Sequence, residues 1–163
     1  MKYENRIVAF VDILGFSNIL GKTQKKNKNG ELKDNDEYID MLYRAFTRIV
    51  DLMKVDILEN EGAQSRQFTQ FSDSIVISFN QDERFLEFKY LLSELLFLHI
   101  EMLRNNILIR GGISYGPIIH TNDVLFGPAM VHAYNLENKA ANSPRIILPV
   151  SLNDGNAVLQ KYF

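Results

Sequence analysis

Asp12 and Asp73 are the residues of this sequence best suited to chemistry. Asp12 follows an apolar run over residues 7–11 that reads as a buried strand. A turn comes next, with Gly15 and the small hydroxyl of Ser17. A carboxylate at a strand end, beside a loop whose backbone N–H groups point one way, suits a metal-bound polyphosphate. The acid holds a divalent cation and the amides hold phosphate oxygens. Thr69, Phe71, Ile75, Ile77 and Phe79 favour two strands, and Ser72, Asp73 and Ser74 favour the turn between them, which puts Asp73 at a hairpin tip. Either aspartate alone also fits an ordinary solvated turn. Two at the ends of neighbouring strands can share a two-metal site of the kind used for phosphoryl transfer.

The residues around these acids resemble the class III nucleotidyl cyclases. Phe10-Val11-Asp12-Ile13-Leu14-Gly15-Phe16-Ser17 is similar to the first metal and phosphate motif of that family, with Ser17 where Thr is frequent. Asp73 matches its second metal carboxylate, although Ser72 replaces the usual preceding glycine. Arg110, Gly112, Ile113 and Gly116 fit its Arg-x-Gly-Ile-x-x-Gly strand. Gly127 to Leu136-Glu137 resembles its Gly-to-Leu-Glu helix, and residues 143–151 resemble the strand after it. The matches run in order over residues 7–151, nearly the whole chain.

The resemblance implies a set of roles. Asp12, Asp73 and the Ile13 carbonyl would hold two Mn²⁺ or Mg²⁺ ions. Phe10, Leu14, Gly15, Phe16 and Ser17 would bind the nucleotide and its phosphates. The family's base-reading places before the hairpin fall on Gln67 and Thr69, which are uncharged. They either read a different base edge or read nothing. Asp123 lies one residue from a second base-reading place. The helix places that usually carry Asn and Arg to stabilise the transition state fall on Val131 and Asn135. Asn135 keeps a hydrogen-bond donor without charge, and Lys139 or Arg145 are substitutes for the missing cation. The family also implies a homodimer with composite sites, one copy giving the two aspartates and the other the base and transition-state contacts. The compact form and altered positions resemble the bacterial anti-phage (Pycsar-type) pyrimidine cyclases. That subgroup implies CTP or UTP as substrate and cyclic CMP or cyclic UMP as a signal to a separate effector.

Several elements must position these residues. At 163 residues, 46% of them hydrophobic, the chain suits one domain with a real core. A formal net charge of −2 and no long basic tract give no reason to expect nucleic acid or a membrane surface as partner. The lack of cysteine excludes disulfides, thiolate catalysis and cysteine-based zinc sites. With no signal peptide or spanning segment visible, the expected location is cytoplasmic. Residues 22–35 are polar and without period, and read as a flexible surface insertion.

A helix is predicted over 37–55, capped by Asn35 or Asp36, with Leu42, Tyr43, Phe46, Ile49 and Met53 on its apolar face. It follows the phosphate loop, so Tyr43 and Arg44 are candidates to edge a base pocket, Tyr43 being equally a core aromatic. A second helix is predicted over 81–105, with Asp82 and Glu83 near its start, Arg104 near its end and His99 as a packing residue. A strand over 107–114 carries Arg110, either a structural counter-ion or a phosphate clamp. A turn at 115–117, a short strand to His120, a helix over 125–141 and a strand over 145–150 complete the order. That order predicts a ferredoxin-like α+β sandwich, a mostly antiparallel sheet with helices packed on one face. Three functions fit: cyclisation of a nucleoside triphosphate, a non-catalytic nucleotide-binding or dimerisation module, and a polymerase-palm-like nucleotidyl transferase. The last is disfavoured by the lack of a basic template surface.

Overall fold

The computed structural model describes residues 2–55, 65–80 and 86–148. The elements are β1 (Glu4–Ile13), α1 (Phe16–Gly21), β2 (Gln24–Lys26), β3 (Leu32–Asp34), α2 (Asp36–Val55), β4 (Gln67–Phe71), β5 (Ser74–Asn80), α3 (Leu86–Arg104), β6 (Ile109–His120), β7 (Leu125–Phe126), α4 (Pro128–Ala140) and β8 (Ile146–Ile147). The main sheet runs β4-β5-β1-β6-β7, with β8 also paired to β6. Every pairing is antiparallel except β6 with β8. The expected α+β architecture is present.

Alternation along β1 decides the layering. Ile7, Ala9, Val11 and Ile13 join Ile75, Ile77 and Phe79 of β5 and the buried residues of α2 and α3 in one large core. Val8 and Phe10 point the other way, into a smaller core with Val76, Ile118 and the α4 residues Ala129 and Ala133. Helices therefore cover both faces, not one. The fourth helix can lie close to β6 because Gly112 carries no side chain: a Cβ there would collide with the Ala133 carbonyl and the Leu136 side chain.

Several sequence expectations need correction. No turn forms at 115–117. Strand β6 runs unbroken through Gly116 and Pro117, which oppose Arg6 and Asn5 of β1. Ten residues of β6 pair along β1, and that ladder overrides a local turn signal. Residues 125 and 126 are strand, pairing with His120 and Ile119, so the last helix begins at Pro128. Residues 22–35 lie at the surface as expected but are not structureless: β2 and β3 form a hairpin whose strands are exposed on both sides, so no apolar period marks it. Tyr43 is 71% exposed and is not a core aromatic. Asn35 precedes α2 as expected, but its side-chain amide donates to the Lys22 carbonyl (2.8 Å). Of the final strand only Ile146 and Ile147 pair, and residues 149–150 lie outside the described residues, as do Asp82 and Glu83.

Candidate active site

The site grows from the end of β1. Asp12 is the third even-numbered residue after Val8 and Phe10, so it emerges on the α4 face. It opposes Ser74 on β5 and Arg110 on β6. The hydroxyl of Ser74 donates to Asp12 Oδ1 (3.2 Å). Asp73 sits in the tight turn before Ser74, and its carbonyl accepts the Ile13 N–H (3.3 Å), which ties the hairpin tip to the strand end. Ser72 holds the left-handed backbone (φ 53°) that a glycine would take most easily.

The two carboxylates converge. Asp12 has its pKa raised, first by burial and then by the facing Asp73 carboxylate, while the Ser74 hydroxyl and the Arg110 guanidinium pull it back. An excess of negative charge at a half-buried point is what a divalent cation relieves, so the pair fits a metal. Among the described residues no third Asp, Glu, His or Cys joins them as a ready-made cage. Further ligands must come from the backbone, such as the Ile13 carbonyl, and from a bound polyphosphate, the usual pattern for Mg²⁺.

Arg110 settles into the counter-ion role. Its Nε lies 2.6 Å from Glu137 Oε1 and its terminal nitrogen 3.6 Å from Asp12 Oδ2. Glu137 is buried on α4, and its pKa is raised by burial and by Asp12 and Asp73, against the lowering effect of Arg110. In the sequence Glu137 figures only as the end of the Gly-to-Leu-Glu motif, with no sign of this contact. The only available signal was a charged residue at the i+4 spacing of Ala129 and Ala133.

Beyond Asp12 the chain turns at Gly15 (φ 74°) into α1. The Leu14 N–H is already donated to the Leu108 carbonyl (2.8 Å), so Leu14 is removed from the expected phosphate-binding amides. Among the described residues, the N–H groups of Gly15, Phe16 and Ser17 have no backbone acceptor of this kind, and they follow Asp12 within five residues. Phe10 is not at the phosphate loop. It is buried and packs edge-on against Tyr134 (5.4 Å between ring centres).

The remaining candidates divide by layer. Gln67 and Thr69 alternate with Phe68 on β4 and share the Asp12 face, since Thr69 opposes Val76 and Gln67 opposes Ser78. Asn135 is half-buried on α4, one residue from the Tyr134 that covers Phe10, and its side chain makes no hydrogen bond among the described residues. Tyr43 and Arg44 are not brought to the site. They line a hollow with Thr47, Arg48 and Asn105 on the α2–α3 side of the sheet. Arg145 donates to the Ala140 carbonyl (2.6 Å), and Lys139 and Asp123 are exposed.

No protein-family model matches the sequence, and no curated protein matches it by sequence. Solved structures do match the fold. The adenylyl cyclase CyaB from P. aeruginosa aligns with a TM-score of 0.66 over 99% of this chain and 83% of that one, at 12% identity. A bacterial light-regulated adenylyl cyclase aligns at 0.60 and 20% identity, over 99% and 80% of the two chains. The dimeric guanylyl cyclase domain of the RhoGC fusion protein from Blastocladiella emersonii aligns at 0.56 and 15% identity, over 85% and 76%. The chain has the fold of nucleotidyl cyclase domains. Among the described residues, no helix is long and apolar enough to cross a membrane.

Proposed function

We propose that this chain is a nucleotidyl cyclase catalytic domain. The observation that carries the reading is the convergence of Asp12 and Asp73 beside the Gly15 turn, on the fold of known cyclases. In the proposed reaction the ribose 3′-oxygen bonds to the α-phosphorus, the bond to the bridging oxygen breaks, and pyrophosphate leaves. The 3′-hydroxyl proton goes to solvent. Asp12, Asp73 and the Ile13 carbonyl would hold two Mn²⁺ or Mg²⁺ ions, which supply charge neutralisation and acidify the hydroxyl. The amides of Gly15, Phe16 and Ser17 donate to the β- and γ-phosphate oxygens. Arg110, held by Glu137, fixes the Asp12 carboxylate from the side away from Asp73. Asn135 donates to the charge developing on the α-phosphate. Its half-buried side chain, without a hydrogen-bond partner among the described residues, supports that role.

The substrate we favour is CTP or UTP. The uncharged Gln67 and Thr69 on the site face support this, because an amide and a hydroxyl replace the charged purine readers of related sequences. The cyclic pyrimidine product would be a signal for a separate effector, in the manner of the anti-phage cyclases the sequence resembles, with a homodimer completing each site. A second reading rests on Val131 and Asn135, where a cation and an amide are missing: a nucleotide-binding module without turnover. Incubation with Mn²⁺ and an equimolar mixture of the four triphosphates, read by mass spectrometry, tests both. Cyclic CMP or cyclic UMP with pyrophosphate is the expected result. Nucleotide bound without any pyrophosphate favours the module, and a polymer product contradicts both.

A further inference from the structure

A buried polar chain crosses the α4 face away from the aspartates. Arg6 Nε donates to Ser78 Oγ (2.9 Å), Ser78 Oγ lies 2.8 Å from His120 Nδ1, and His120 Nε2 lies 3.0 Å from Thr69 Oγ1. Arg6, Ser78 and His120 are all buried, while Thr69 at the far end is partly open. Thr69, Val76 and Phe10 lie side by side on neighbouring strands. The next row on this face is Phe71, Ser74, Asp12 and Arg110. The chain thus ends one row from the metal-binding pair.

We propose that Arg6, Ser78 and His120 form a one-way hydrogen-bond relay that polarises the Thr69 hydroxyl as a donor toward the base of a bound nucleotide, which makes His120 a positioning residue for base selection. The proposal rests on the cyclase reading for its ligand, but the direction of the relay does not.

The direction follows from what each group can do. A guanidinium only donates, so Ser78 Oγ accepts from Arg6. The fully buried Ser78 hydroxyl must then place its own hydrogen, and His120 Nδ1 is the acceptor in line with it. An unprotonated Nδ1 puts the ring proton on Nε2, where it is donated to Thr69 Oγ1. Thr69, having accepted, keeps one hydrogen and one lone pair, and the accepted bond polarises its hydroxyl toward donating. The reverse tautomer would strand the Ser78 hydrogen in a site without water access, at the cost of an unmade buried bond. A doubly protonated ring is excluded as well, since burial, and then the Arg6 charge, lower the His120 pKa to about 4.

A polarised donor favours an acceptor. It bonds a carbonyl oxygen or an unprotonated ring nitrogen of a base more strongly than a ring N–H or amino group at the same place. A threonine without the His120 contact lacks that bias. The relay thus gives a residue with no intrinsic preference a donor bias, set from Arg6 on the far side of the sheet face.

Two measurements test this. Long-range ¹H–¹⁵N correlation spectra of the wild-type protein at pH 7 should show His120 protonated at Nε2 and bare at Nδ1. The opposite tautomer overturns the relay whatever the protein catalyses. For selection, relative kcat/KM over ATP, GTP, CTP and UTP is compared in Thr69→Val, Thr69→Ser and His120→Asn. His120→Asn keeps an acceptor for Ser78 but loses the contact to Thr69. Thr69→Val and His120→Asn should flatten the preference between the best and worst triphosphate by about tenfold, mostly through KM, while Thr69→Ser retains it. If none of the four is turned over, competitive binding in Ca²⁺ reads the same ratio, and the proposed function fails separately. An unchanged ratio in Thr69→Val, or no binding of any triphosphate, overturns the selection role.

Discussion

The two faces of the central sheet are made from alternate residues of the same strands, yet they hold opposite contents. On the α2–α3 face, β1 contributes Ile7, Ala9, Val11 and Ile13, and β5 contributes Ile75, Ile77 and Phe79, all buried against helices. On the α4 face the same two strands contribute Arg6, Asp12, Ser74 and Ser78 around a small apolar centre. The first face supplies burial, and thus most of the stability. The second carries polar groups that cost stability unless each finds a partner. Nearly all of them do: Arg6 with Ser78, Ser74 with Asp12, and Arg110 with Glu137. The pair left in mutual repulsion, Asp12 and Asp73, is the one that marks the site.

The sharpest break in this contrast is Asp73→Ala. It should lower pyrophosphate release by about a thousandfold or more, since it removes one of two metal carboxylates. Its unfolding free energy should change by no more than about 0.5 kcal/mol, because the turn residue buries little. Ile77→Ala, four residues on and facing the other way, should do the reverse. It should cost about 3 kcal/mol in denaturant unfolding, with activity per folded molecule retained.

Asn135→Ala is expected to be smaller. It should slow kcat about tenfold and leave nucleotide affinity within about twofold, and equal losses in both would contradict a role in the chemical step.

The smallest effect concerns Asp12 without metal. Because its pKa is raised in the folded state, the folded protein binds the extra proton. Stability is lost as pH rises from the ordinary carboxylate value through the raised one. Asp12→Asn should therefore stabilise the metal-free protein above that window, pH 7 included. The gain should vanish below about pH 4, where the ordinary carboxylate also protonates. Thermal unfolding across pH reads the sign directly.

The legible part of this molecule was whatever depends on local pattern. The apolar run before Asp12, the strand-turn-strand around Asp73 and the period of α2 each follow from neighbouring residues. Contacts set by register were not legible. Glu137 meets Arg110, and His120 bridges Ser78 and Thr69, only because β4, β5, β1 and β6 align and α4 lies across them. Tyr43 was misjudged for the same reason: its spacing fits the apolar face of α2, but the face it sits on is at the edge of the helix pair. The turn expected at Gly116 and Pro117 failed because pairing with β1 outweighs a two-residue preference. The departure of Val131 and Asn135 from a familiar motif was visible in sequence, and the structure adds that Asn135 is half-buried on α4.

The central claim is that Asp12 and Asp73 jointly hold divalent cations that bring a triphosphate to the Gly15 turn. Isothermal titration of Mn²⁺ into the protein with a non-cyclisable triphosphate present, for wild type and Asp73→Ala, tests it most directly. The account predicts Mn²⁺ binding in wild type and its loss in Asp73→Ala, with the unfolding temperature unchanged. Equal Mn²⁺ affinity in the two proteins would contradict it.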